Sequence, residues 1–269
     1  MQGSINSKRR LRRVSFGVLP GHCLLCRAGS QRNLDLCHPC ESELPRLGPH
    51  CAICAAPFPT DDAGFNCTSP NMFCGQCLRQ APHFDWVFSP FAYDPPLDHL
   101  LSRFKFNSDL VAGQVLGELL ANALKTRMDE IRAGNGAQST SAGGSTPDWI
   151  IPTPLHWRRN LSRGFNQASE LAGLLSKKLK IPINHRLIKR GKATQPQLRL
   201  KQRERRQNLR HAFTLASPQA VESIEGRAFA VVDDILTTGS TAEAIASLLK
   251  KYGATEVSIW AVARTRLEN

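Results

Sequence analysis

A short apolar run followed at once by two acids and a hydroxyl-rich turn constrains this chain more than any other feature. It reads Ala228-Phe229-Ala230-Val231-Val232, then Asp233-Asp234-Ile235-Leu236, then Thr237-Thr238-Gly239-Ser240-Thr241. Five apolar residues with no polar alternation suit a strand buried on both faces of a parallel sheet. The acidic pair falls where that strand should end, and a helix-like segment over 242–251 follows. In open α/β sheets, ligands bind at this carboxyl end of a strand.

The residue types specify a chemistry. Gly239 lets the backbone bend and approach an anion with no Cβ in the way. Free N–H groups and the positive end of the next helix dipole favour phosphate there. Thr237, Thr238, Ser240 and Thr241 add hydroxyl donors, whereas Asp233 and Asp234 accept hydrogen bonds and so suit sugar hydroxyls. A ribose 5-phosphate presents its groups in that order. The plainer alternative is a strand, an acidic turn and a capped helix that bind nothing, but the pattern is longer than a cap requires.

All nine cysteines lie between Cys23 and Cys77. Eight form Cys-x2-Cys knuckles, Cys23/Cys26, Cys37/Cys40, Cys51/Cys54 and Cys74/Cys77, with Cys67 left over. Two knuckles supply four thiolates around one tetrahedral zinc, so the spacing predicts two structural zincs. Metal also explains how a segment with few large apolar residues folds. Sequential pairing, 23/26 with 37/40 and 51/54 with 74/77, is favoured over a cross-braced one because the first two knuckles are so close. Cys67 is a further candidate for the second site. His22, His38 and His50 sit beside ligands, as solvated neighbours or as substitutes for a cysteine.

The rest of the chain sets the bounds. With 269 residues and 41% hydrophobic content there is room for one ordinary domain and a small one. No run reaches the roughly 18 apolar residues of a membrane span. Lys8, Arg9, Arg10, Arg12 and Arg13 are followed by no apolar core, so residues 1–21 read as a basic flexible arm rather than a signal peptide, and a cytoplasmic location is expected. Disulfides are correspondingly disfavoured. Residues 22–82 are expected to form the zinc module and 83–269 the larger domain, with a Gly/Ser-rich flexible insertion at 133–147.

Within that larger domain, 84–93 suggests a strand, and Leu97, Leu100, Leu101 and Phe104 mark a helix over 97–106. Lys105, near its end, is a phosphate ligand or an ordinary helix lysine. A longer amphipathic helix spans 110–131. Residues 148–152 read as a second buried strand. The loop after it carries Arg158, Arg159, Arg163 and Gly164 before a helix over 168–179. Guanidinium forks match pyrophosphate oxygens, and Gly164 permits close backbone approach. A last strand is expected over 254–263, giving a doubly wound parallel sheet.

The acidic pair with Thr-Thr-Gly-x-Thr resembles the phosphoribosyl pyrophosphate (PRPP) motif of type I phosphoribosyltransferases. Pro152-x-Pro154-Leu155-His156-x-x-Arg159 with Arg163-Gly164-Phe165-Asn166-Gln167 narrows this to the ComF/GntX family. Thr194-x-x-Gln197-x-x-Leu200, Arg206-x-x-Leu209, Ala212-Phe213 and the knuckles extend the likeness from about Cys23 to Arg264. The resemblance implies a type I phosphoribosyltransferase-like sheet with an N-terminal double zinc ribbon. It implies that Asp233 and Asp234 hold the ribose hydroxyls of Mg²⁺-bound PRPP, that Thr237, Thr238, Gly239, Ser240 and Thr241 cradle its 5-phosphate, and that Arg159, Arg163 and Gly164 take the pyrophosphate. Asp233, Asp234 and Arg163 are then the expected catalytic residues. Cys67 with its long spacer and the Gly/Ser insertion depart from the family pattern.

Residues 186–210 hold ten basic residues and one acidic one. The resemblance makes this stretch a lid that closes over PRPP and excludes water. The same charge suits the backbone of single-stranded DNA. A solvated basic face is the plainer reading. Three functions follow: a phosphoribosyltransferase in DNA uptake or nucleotide salvage, a non-catalytic PRPP- or nucleotide-sensing factor that binds single-stranded DNA, and a zinc scaffold with a vestigial pocket. DNA-uptake machinery is the partner that the resemblance suggests.

Overall fold

The computed structural model describes residues 21–59, 72–106, 108–133, 145–155, 165–191 and 212–266. Five parallel strands form the central sheet: β1 (Trp86–Phe88), β2 (Phe91–Ala92), β3 (Trp149–Pro152), β6 (Ala228–Leu236) and β7 (Glu256–Arg264). The order is β1-β7-β6-β3, with β2 pairing β7 beyond β1. The expected strand over 84–93 is thus two short pieces. A separate antiparallel pair joins β4 (Ile188–Arg190), near the start of the basic stretch expected as a lid, to β5 (Phe213–Leu215), just after its end. Residues 192–210 of that stretch, most of the insertion and residues 1–20 of the basic arm lie outside the described residues.

Helices cover both faces of the sheet. On one lie α3 (Leu97–Phe106), α4 (Leu110–Arg132) and α5 (Gln167–Leu179), which pack on Ile150, Ala230, Val232, Trp260 and Val262. On the other, α6 (Ser240–Lys251) packs Ala242, Ile245, Ala246 and Leu249 on Phe229, Val231, Val257 and Ile259. β6 and β7 are therefore apolar on successive residues rather than alternate ones. Burying each large side chain there contributes about 1.5–3 kcal/mol.

Local signals set the helix ends. α3 buries Leu97, Leu100, Leu101 and Phe104, one stripe at helical spacing. Asp109 caps α4 by accepting from the amides of Val111 and Ala112, and the Arg103 guanidinium grips its other oxygen at 2.7 Å. α4 then crosses close to its neighbours, because Gly113 lies against the Phe104 ring and Gly117 against Leu174. Asn166 caps α5 and also donates to the Thr153 carbonyl, fastening this helix to the end of β3.

The ribbon repeats one local design. Cys23 and Cys51 each open a tight turn, and a left-handed residue, Arg27 or Ala55, follows the second cysteine of the knuckle. A short helix begins after the third ligand of each quartet, α1 (His38–Ser42) after Cys37 and α2 (Gly75–Arg79) after Cys74. Cys23, Leu36, Cys37 and Leu44 join the core on the α3–α5 face. Ala55, with Leu47, Ile53 and Cys54, joins the α6 face. The segment between the quartets crosses the sheet edge, where Leu47 N–H donates to the Pro90 carbonyl and Ala92 N–H to the Pro45 carbonyl. The two ribbons thus straddle one edge of the sheet, one on each face.

Candidate functional site

β6 runs four residues beyond the apolar run, to Leu236, because β7 keeps pairing with it: Asp233 lies opposite Ala261 and Leu236 opposite Arg264. Pairing with β3 stops earlier, at Pro152 opposite Val232, with one further bond from Thr153 N–H to the Val232 carbonyl. The acidic pair therefore stands inside β6, where its β3 side opens. The carboxylates bond the backbone locally: Asp233 Oδ1 accepts from Asp234 N–H at 2.9 Å and Asp234 Oδ1 from Ile235 N–H at 2.8 Å.

The carboxylates differ in surroundings. Asp234 is buried, and its Oδ2 faces the Lys105 ammonium at 3.4 Å. Burial and the adjacent Asp234 charge push Asp233 up to about 7, against the pull of the Asp234 amide, the Lys105 ammonium and the Thr153 hydroxyl. Lys105 is thus at the acidic pair rather than in open solvent. It is held there from behind, since Gln167 Nε2 donates to its carbonyl.

The turn after β6 has the form that anion binding requires. Gly239 adopts φ 73°, a left-handed conformation that costs glycine least. α6 starts at once, so the helix opens at Ser240, two residues before the sequence suggests, and Ser240 and Thr241 lie in its first turn. The Thr238 and Ser240 hydroxyls lie 2.9 Å apart, and Ser240 N–H leans on Thr238 Oγ1 at 3.4 Å. Among the described residues, the amides of Thr237, Thr238, Gly239, Thr241 and Ala242 meet no protein acceptor. Glu243 N–H donates to the Gly239 carbonyl, closing the turn below them.

The structure brings Asp233, Asp234 and residues 237–241 to one end of one strand. Arg159, Arg163 and Gly164 lie outside the described residues. Sequence assigns no role to Thr153 or Arg264, and gives Asn166 only a place in the family motif. Thr153 follows β3 and reaches Asp233 across the strand gap, a neighbour that only pairing reveals.

The cysteine quartets are Cys23, Cys26, Cys37 and Cys40, and Cys51, Cys54, Cys74 and Cys77, the sequential pairing. Within each, the ligand atoms lie within 4.8 Å of one another, with Cys26–Cys37 and Cys54–Cys74 sulfurs both 3.7 Å apart. A tetrahedron of thiolates about 2.3 Å from zinc has its sulfurs ~3.8 Å apart, so both quartets fit structural zinc. The thiols also crowd one another's charge: hydrogen bonding with Cys54 and Cys77 holds Cys51 well down, while Cys51 pushes Cys54 up to about 12 and raises Cys77. A divalent cation relieves that competition. With four ligands each, neither site keeps an open position. Cys67 lies outside the described residues, and the second quartet is complete without it. His38 and His50 instead meet Arg32 and the Gly48 carbonyl. No helix among the described residues is long and apolar enough to cross a membrane.

The family model described as phosphoribosyl transferase domain matches residues 161–267, and the one described as double zinc ribbon domain matches 16–78. Competence protein F of Haemophilus influenzae is 34% identical over 245 residues, covering 90% of this chain and 96% of its own. The DNA utilization protein YhgH is 32% identical over 256 residues in Shigella flexneri and 33% over 250 in Salmonella typhi. Each of those matches covers 92% of this chain and 99% of the relative. A solved structure of the Bacillus subtilis glutamine PRPP amidotransferase overlaps 54% of this chain and 25% of its own, at 19% identity and a TM-score of 0.32.

Proposed function

The chain belongs to the family of competence protein F and the DNA utilization protein YhgH, and we propose that its phosphoribosyl transferase domain binds PRPP as the magnesium complex. One observation carries this reading. A left-handed glycine at the head of α6 leaves a row of amides with no acceptor among the described residues, directly after a half-open acidic pair.

In this reading residues 237–241 wrap the 5-phosphate and take the helix dipole with it. Asp233 and Asp234 accept from the ribose 2′- and 3′-hydroxyls. Arg159 and Arg163 bind the pyrophosphate, with Gly164 giving it room. Magnesium supplies a cation that spreads the charge of the leaving pyrophosphate. Transfer of the ribosyl group to a nitrogenous acceptor needs no protein nucleophile, so these residues act by positioning and charge stabilisation. We take residues 22–82 as the double-ribbon module and 83–269 as the transferase-like domain.

The relatives' names speak of competence and DNA utilization, and we carry that to this chain as a role in using DNA taken up. The basic stretch over 186–210 then follows the phosphates of single-stranded DNA. Calorimetry with PRPP and Mg²⁺ tests the pocket: Asp233→Asn/Asp234→Asn is expected to weaken binding by about tenfold or more. Equal affinity in variant and wild type removes the ribose contacts. Assaying pyrophosphate release with candidate bases then separates a transferase from a sensor.

A further inference from the structure

Arg264 ends β7 and is among the largest fully buried side chains of the protein. Its guanidinium is spent on carbonyls. Nε donates to Cys54 O at 3.1 Å, and Nη1 donates to Leu236 O at 3.0 Å, to Thr265 O at 3.2 Å and to Thr237 O. Leu236 closes β6 and Thr237 opens the turn before α6, whereas Cys54 belongs to the second cysteine quartet. One side chain thus joins a zinc knuckle to the entry of the candidate phosphate turn.

A second contact spans the same two regions. His83, shortly after Cys77, donates its N–H to Glu243 Oε2 at 2.9 Å, and its ring Nδ1 lies 2.5 Å from Oε1. Glu243 is in the first turn of α6. Ala55 packs in the same cluster as Leu236 and Ala242, with Ile53 and Cys54 against it.

The peptide bond turns these contacts into a constraint. In a trans peptide plane the N–H points opposite the C=O. Pinning the Leu236 and Thr237 carbonyls toward Arg264 therefore aims the Thr237 and Thr238 amides away from it. Charge works in the same direction: a buried guanidinium needs anionic company, and a four-thiolate zinc site carries a formal charge of about −2.

We propose that Arg264 is a positioning residue that holds the amides of the 237–241 turn in their ligand-binding orientation, and that the metal state of the second quartet sets this orientation through Cys54. The proposal rests on the reading of residues 237–241 as the phosphate site. It makes the ribbon a part of the pocket's support.

The test uses the full chain with Arg264→Gln and Arg264→Lys, scored by zinc content, by calorimetry with PRPP and Mg²⁺, and by amide hydrogen exchange. Arg264→Gln is expected to bind about tenfold more weakly or worse. Exchange should quicken at Thr265 and Glu243, whose amides hold the Leu236 and Gly239 carbonyls at the two ends of the turn, but not over the β6 core at 230–232. Arg264→Lys keeps the charge without the fork and should not restore either property. Loss of one zinc together with faster exchange is the same coupling seen from the other end. An Arg264→Gln protein with two zincs, wild-type affinity and wild-type exchange overturns the proposal. Should that variant not fold, stepwise removal of zinc from the wild type decides. Exchange at Thr265 and Glu243 that rises with loss of the second zinc supports the coupling, and unchanged exchange there defeats it. If the wild type binds no PRPP, the reading of the pocket fails, and the exchange data still judge the brace.

Discussion

Lys105 Nζ stands 3.4 Å from Asp234 Oδ2, so a helix on one face of the sheet places a cation against the acidic pair of its central strand. That cation also pulls on Asp233, whose carboxyl burial and the Asp234 charge hold near 7. Replacing it with an uncharged side chain of similar length should let Asp233 drift further up. In Lys105→Met, carbon-13 carboxyl shifts are expected to show Asp233 titrating above its wild-type midpoint. An unmoved midpoint would mean that the ammonium does not reach the pair in solution.

Asp233 also makes stability depend on pH. Its folded pKa, about 7, lies above the ordinary 3.8, so the folded state holds the proton more tightly than the unfolded chain does. The stability this contributes is complete below about pH 4 and is lost as pH rises through about 7. Urea midpoints should therefore fall between pH 6 and pH 8 in the wild type by more than in Asp233→Asn. Parallel curves for the two proteins would refute the raised value.

Zinc content gives a direct count. Metal analysis after dialysis should find about two zincs per chain, and Cys51→Ser should lose one of them. Because each quartet shares its core with one face of the sheet, that loss should lower the thermal midpoint of the whole protein rather than melt the ribbon alone. Two separate transitions would show the ribbon to be uncoupled.

Three helix glycines should respond differently to alanine. At Gly113 an added Cβ would lie 2.4 Å from a carbon of the buried Phe104 ring, and Gly113→Ala is expected to cost about 1–3 kcal/mol. At Gly117 the neighbour is a Leu174 methyl at 2.9 Å, which can shift, so the cost should be smaller. Gly173 has nothing within 4 Å, and Gly173→Ala should stabilise α5 by up to about 1 kcal/mol. Denaturant titrations of the three variants check this order.

Much of this architecture can be read from sequence where the signal is local. The valine-rich run, the turn at Gly239 and the spacing of the knuckles each declare themselves within a dozen residues. The helix over 97–106 has the bounds the sequence suggests, because its apolar stripe and its end are both local. What escaped reading is pairing at a distance. Nothing near Asp233 says that β7 will carry β6 on to Leu236 while β3 stops at Val232. Arg264 looks like part of an uninformative tail, since its partners Cys54 and Leu236 are 210 and 28 residues away. The β4–β5 pair is hidden for the same reason: its strands lie near the two ends of the long basic stretch and hold three residues each.

The segment linking the two ribbons bridges to Phe91 and so lies along the outer border of the sheet. Exposed strand borders recruit other strands, and here the chain's own amino-terminal third occupies the place a stranger would take. Trimming the protein back to residue 83, a natural wish for anyone wanting the transferase-like part alone, would bare that border. Such a fragment should clump at concentrations where the intact chain stays dispersed.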